Sequence, residues 1–194
     1  EFETSLQGTG SLRCLESAIT VALELEIPVD EIRASTPLLQ LPSLRQELYS
    51  IDGVELVLDC YNASPPSVEG AIADLGSTAA SRKLAVLGTM EELGADEAEY
   101  HRQMGQACAK SGIDHLWCVG RGAHWLHEGA QSAGGSSSIL PRDDQGVACL
   151  QSELQSGDRV LFKASRKEAL ETLAHDLKNR MEERLAMEKG GARE

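Results

Sequence analysis

With 31 acidic and 18 basic side chains among 194 residues, the chain carries a formal net charge of −13, which argues against a nucleic-acid or anionic-membrane surface because phosphate binding needs clustered Lys and Arg. Its length suits one domain with an appendage or two small domains. The cysteines Cys14, Cys60, Cys108, Cys118 and Cys149 form no C-x-x-C pair and fit neither a disulfide framework nor a zinc site, so a reducing cytosol is the simplest setting.

No apolar run approaches the roughly 20 residues that span a bilayer, and Glu1 to Ser11 holds no signal-peptide core. The start at Glu1 reads as a cut from something longer. Leu15, Ala18, Ile19, Ala22 and Leu25 recur at helical spacing and predict a helix over residues 14–25, with a second short helix over 30–34 after Pro28. Pro37, Pro42 and Ser43 mark a connector. Beyond it, residues 45–49 and 54–58 flank Ile51-Asp52-Gly53 as a hairpin. Strands over 83–87, 115–119 and 159–163 then alternate with helices over 67–75, 96–110, 123–131 and 145–154. A short strand over 137–140 either adds an edge or belongs to a loop, and a last helix is expected over 167–187. This rhythm predicts an α/β fold: a doubly wound, mostly parallel, Rossmann-like sheet preceded by a small helical segment.

In such sheets the crevice beyond the carboxyl ends of the strands collects ligands, and the helices that follow present free N–H groups. The run from Val57 to Ser67 leaves a strand and delivers Asp59, Tyr61 and Asn62 into a turn. A carboxylate there suits a ribose diol, or serves as a turn or capping residue. Tyr61 and Asn62 offer a stacking face and an amide, whereas Ser64-Pro65 reads as an N-cap followed by a first-turn proline. Val86 to Gly94 is again a strand emptying into a glycine-bounded loop. Val160 to Arg166 ends in Lys163, Ser165 and Arg166, cations that either meet a carboxylate or phosphate or stay solvated.

In this order the three segments resemble the Mur ligases, specifically the MurF branch. Asp59 to Pro65 matches Asp-x-Tyr-Asn-Ala-x-Pro. Gly88, Met90, Glu92, Leu93 and Gly94 match Leu-Gly-Asp-Met-x-Glu-Leu-Gly, with Thr89 in place of Asp. Lys163, Ser165 and Arg166 match Lys-Gly-Ser-Arg, with Ala164 in place of Gly. Arg45 stands where the family carries a Gly-Arg pair, Leu44 replacing the glycine. Gly8 to Cys14 stands where the family shows Gly-x-His-Asn-x-x-Asn, the His and both Asn replaced by Gly10, Ser11 and Cys14.

The resemblance covers about residues 45–177 and implies the C-terminal part of an ATP- and magnesium-dependent ligase of the cytoplasm. Its substrates would be UDP-N-acetylmuramoyl-tripeptide and D-alanyl-D-alanine. Residues 1–42 would close the central domain and residues 43–194 would form the C-terminal domain. Arg45, Asp59, Tyr61 and Asn62 would hold the nucleotide, and Glu92, Lys163, Ser165 and Arg166 the dipeptide end. The phosphate loop would lie in an upstream domain of the same protein, since no G-x-x-x-x-G-K-[ST] occurs here. A non-catalytic binding or regulatory module, or a folylpolyglutamate-synthase-like ligase, remains the alternative.

Other constellations are weaker. His101 matches the family's helix, yet a helical His on a mixed face is packed or solvated more often than catalytic and carries no expected site role. His124 and His127 are one turn apart with no clear third ligand. Gly120-Arg121-Gly122 lacks the third glycine of a dinucleotide fingerprint.

Overall fold

The computed structural model describes residues 1–191, with side chains as far as residue 188. Its sheet has six strands in the order β1-β2-β6-β3-β4-β5. β1 (Glu47–Ile51) and β2 (Val54–Leu58) form the expected antiparallel hairpin. Asp52 and Gly53, at φ 52° and 76°, make the mirror-image two-residue turn whose twist suits the strands. β6 (Asp158–Lys163), β3 (Arg82–Leu87), β4 (His115–Cys118) and β5 (Ser137–Ile139) all pair in parallel. Ser137–Ile139 is therefore an edge strand rather than loop.

The central strands are apolar on both sides, as strands covered by two helical layers must be. Alternate residues face opposite layers. Ala85, Leu87, Leu116 and Leu161 pack against α3 (Pro65–Ser77), α4 (Glu97–Lys110) and α5 (Ala123–Ser132). Leu84, Val86, Val160 and Phe162 pack against α6 (Asp144–Glu153) and α7 (Leu170–Gly191). The chain leaves β2 and β3 for one layer and β6, which lies between them, for the other. That reversal opens a crevice at the carboxyl ends of these strands, the point where ligands bind in open α/β sheets.

The ends of several elements differ from expectation for local reasons. α1 (Thr9–Glu24) begins earlier, because Thr9 bonds the Asp74 carboxylate on α3 through both its N–H and its hydroxyl. α2 covers Val29–Ser35. α3 starts at Pro65: the Ser67 hydroxyl accepts from the Ser64 N–H and donates to its carbonyl, each at 2.9 Å, and proline suits the first turn. α6 starts at Asp144 because the Asp143 carboxylate accepts from the Gln145 and Gly146 amides. The last helix is not continuous from residue 167. Arg166–Glu168 form a 3-10 turn, Ala169 is left-handed at φ 47°, and α7 follows.

Candidate functional site

Three loops meet at the crevice, and buried side chains tie them together. Asp59 directly follows β2 and Lys163 ends β6, neighbours across the sheet, where the Asp59 N–H donates to the Phe162 carbonyl at 2.9 Å. The Lys163 side chain is only 3% exposed, and its ammonium donates to Asp59 Oδ2 at 2.6 Å and to the Asn62 carbonyl at 3.1 Å. It points inward, away from solvent, because a buried ammonium needs an anion and Asp59 is the one within reach. Ser165 is also buried. Its hydroxyl donates to the Ala63 carbonyl at 3.2 Å and accepts from the Glu91 N–H at 2.9 Å, while its own N–H donates to the Thr89 carbonyl at 3.0 Å. One serine thus fixes the loops after β2, β3 and β6. The approach is close: a Cβ on Gly88 would stand 2.7 Å from that of Ala164.

Arg45 lies over the Tyr61 ring, its guanidinium carbon 4.3 Å from the ring centre, a cation–π geometry. The residues on either side of it, Leu44 and Gln46, are left-handed at φ 61° and 52°. A family glycine in place of Leu44 would adopt that conformation freely, whereas Leu is strained by about 1–2 kcal/mol. Three contacts hold it: the Leu44 N–H donates to Glu47 Oε2 at 3.1 Å, the Leu44 carbonyl accepts from the Tyr61 N–H at 3.1 Å, and the side chain packs on the core. The Tyr49 hydroxyl and then the Leu44 N–H hold the Glu47 carboxyl below the usual carboxylate range. Gln46 reaches Asp59 Oδ2 at 3.5 Å. Asn62 is exposed, with its Oδ1 accepting from the Ala63 N–H at 2.9 Å.

Arg45, Asp59, Tyr61, Asn62, Lys163 and Ser165 therefore come together. Arg166 follows them on an exposed turn, 61% exposed and paired with Glu171 Oε1 at 2.6 Å. Glu92, left-handed at φ 63°, stands apart and lines a hollow of about 700 Å³ between α3 and α4 with Pro65, Tyr100 and Met104. Sequence reasoning missed Gln46 and Glu171. Gln46 was marked only by its place beside Arg45, and nothing in the pattern of α7 marked Glu171. Burial, then the nearby Glu171 and Asp59 carboxylates, push the Cys60 thiol well above its ordinary range, so it is no nucleophile.

Among the described residues no three His, Cys, Asp or Glu side chains gather as a metal site. His127 instead bonds the Ser137 hydroxyl at 2.9 Å. No described helix is long and apolar enough to cross a membrane.

Residues 44–166 match the family described as Mur ligase, glutamate ligase domain. The chain belongs to the Mur ligase family. All eight candidate residues, from Arg45 to Arg166, fall inside the matched stretch of this Mur ligase segment. It is 32% identical over 143 residues to the UDP-N-acetylmuramoyl-tripeptide–D-alanyl-D-alanine ligase of Bacillus subtilis, covering 72% of this chain and 31% of that protein. The Thermotoga maritima MurF ligase, solved in complex with ADP, superposes with a TM-score of 0.76 at 26% identity, over 92% of this chain and 40% of that one. Acinetobacter baumannii MurF gives 0.82 at 25% identity, over 93% and 39%. The segment thus spans about a third of the length of the curated relative from Bacillus subtilis.

Proposed function

We propose that this segment is the C-terminal portion of a MurF-type ligase. Residues 1–42 would end the central domain and residues 43–194 would form a lid over a P-loop domain of the same cytoplasmic protein. The observation that carries the reading is the convergence of the three motif-bearing loops at the switch point, cross-linked by Lys163 and Ser165.

In the reaction, the terminal carboxylate of UDP-N-acetylmuramoyl-tripeptide attacks the γ-phosphorus of ATP, giving an acyl phosphate and ADP. The amine of D-alanyl-D-alanine then attacks the acyl carbon, phosphate leaves with the bonding pair, and the amine's proton passes to a base. Arg45 and Tyr61 provide a flat cationic and aromatic corner for the base of the nucleotide. Asp59, with Oδ2 taken by Lys163, has Oδ1 for a ribose hydroxyl. Lys163 and Ser165 keep the loops in register, while Arg166 and Glu92 meet the peptide. Closing the lid excludes water, which would otherwise hydrolyse the acyl phosphate. Magnesium, when bound, neutralises phosphate charge, a task assigned to the P-loop domain.

A second reading, a non-catalytic module, is favoured only by Gly10, Ser11 and Cys14 standing where the family shows His and Asn. One experiment separates the two. A hybrid ligase carrying this segment in place of the corresponding part of the Bacillus subtilis relative is expected to form the amide with ATP. The segment alone should hydrolyse no ATP and bind it no tighter than about millimolar, since only the nucleoside end is held. A folded hybrid that makes no product contradicts the ligase reading.

A further inference from the structure

The loop between β3 and α4, residues 88–93, is held almost wholly by other elements. The Gly88 N–H donates to the Lys163 carbonyl at 2.9 Å, the Glu91 N–H to Ser165, and the Thr89 hydroxyl accepts from the Gly122 N–H at 3.1 Å. A further tie comes from α4: the Met90 N–H donates to His101 Nε2 at 2.9 Å. Because the amide can only donate, Nε2 must accept. The ring proton is therefore on Nδ1, which donates to the Glu97 carbonyl at 2.7 Å. His101 is a neutral imidazole with both nitrogens committed and no exposed surface.

The surroundings are shaped for that ring. Gly122 opens α5 directly against it, where a Cβ would lie 2.5 Å from Cδ2 and Nε2, and Trp125 packs at 5.8 Å between ring centres. The charged groups facing it are Glu97 on its own helix, Arg121 before α5 and Glu168 after β6. Glu97 and Arg121 pair with each other at 2.6 Å. Burial holds the imidazole below its ordinary range.

We infer that His101 is a positioning residue: through Met90 it latches the β3–α4 loop onto α4 and α5, and so sets where Glu92 meets the peptide substrate. A core histidine that only fills space would make no bond into a loop. This one bonds the residue two before Glu92, whose left-handed φ of 63° is a strained conformation that surrounding contacts must enforce. The substrate half of the inference rests on the ligase reading above, and the loop half does not. Protonation at Nε2 would set N–H against N–H and release Met90.

The test is a series of variants read in two ways. His101→Gln keeps an acceptor near Nε2, His101→Asn keeps only a donor near Nδ1, and His101→Phe keeps the volume and neither. In the chain itself, amide exchange at Met90 is expected to quicken about tenfold to a hundredfold in the Asn and Phe variants, as for a buried amide that loses its acceptor. The Gln variant should stay near the original. The unsubstituted chain should show the same quickening, beyond the intrinsic pH trend, only once the pH falls below the ordinary histidine range, because burial lowers the pKa of this imidazole. In the hybrid ligase the Asn and Phe variants should raise the KM for UDP-N-acetylmuramoyl-tripeptide or D-alanyl-D-alanine about tenfold, with the KM for ATP within about twofold and the Gln variant restored. Equal Met90 exchange in all three variants overturns the latch, and a rise in KM shared equally by ATP and the peptide substrates overturns its role in placing the peptide. A hybrid that makes no amide without any substitution sinks the ligase reading instead, and the exchange measurement still decides the latch.

Discussion

Replacing Asp59 with alanine is expected to destabilise the chain by about 3 kcal/mol, far more than a strand-end carboxylate normally contributes. The reason lies in its partner. Lys163, 3% exposed, would keep its ammonium buried with only the Asn62 carbonyl at 3.1 Å to accept from it. Removing one member of a buried pair leaves an uncompensated charge, whereas removing both can be nearly neutral. The double variant Asp59→Ala with Lys163→Met should therefore recover a large part of the loss. Urea unfolding measures this as a shift of the midpoint at constant slope. A loss below about 1 kcal/mol, the range of a solvated pair, would show that Lys163 escapes to water when its partner is gone.

Gly129→Ala should be comparably damaging, by about 3 kcal/mol, at the upper end of overpacking effects. On α5, a Cβ at Gly129 would overlap the Arg102 carbonyl of α4 and stand 2.7 Å from its carbon. From the other side, a Cβ at Gly105 on α4 would overlap the Leu126 carbonyl and stand 2.7 Å from the Ala130 nitrogen. Backbone faces backbone, so no side chain can swing aside. Gly70→Ala is the control. It lies within α3 with nothing near a Cβ, and alanine there should stabilise by roughly 0.5–1 kcal/mol through helix propensity alone. Thermal unfolding of both variants checks the contrast, and equal melting temperatures would refute it.

The alternation of apolar strands with amphipathic helices made the sheet legible in the sequence, and the loops after residues 58, 87 and 163 marked the crevice, because side chains at strand ends have nowhere else to go. The direction of the Lys163 side chain was not legible. A strand-end lysine is normally solvated, and its partner becomes visible only once β2 lies beside β6 in the sheet. His101 was hidden for a similar reason. Its helix presents a mixed face, and the ring is enclosed only because Gly122, far along the chain, makes room for it. Ala169 carries no mark of its left-handed φ of 47°. The break before α7 follows from contacts of the preceding turn: Glu168, 8% exposed, pairs with Arg142 at 3.0 Å, and the Ala169 N–H returns to the Arg166 carbonyl at 3.1 Å.

The most direct test is the ATP dependence of the hybrid ligase carrying Arg45→Ala or Asp59→Asn, the latter chosen because asparagine leaves Lys163 an acceptor. If this corner of the crevice holds the nucleoside end of ATP, each change removes a charge-assisted contact worth about 1.5–3 kcal/mol. The KM for ATP should then rise about tenfold to a hundredfold, with the KM values for both peptide substrates unchanged. An ATP dependence identical to that of the unsubstituted hybrid in both variants would contradict the assignment of the crevice to the nucleotide.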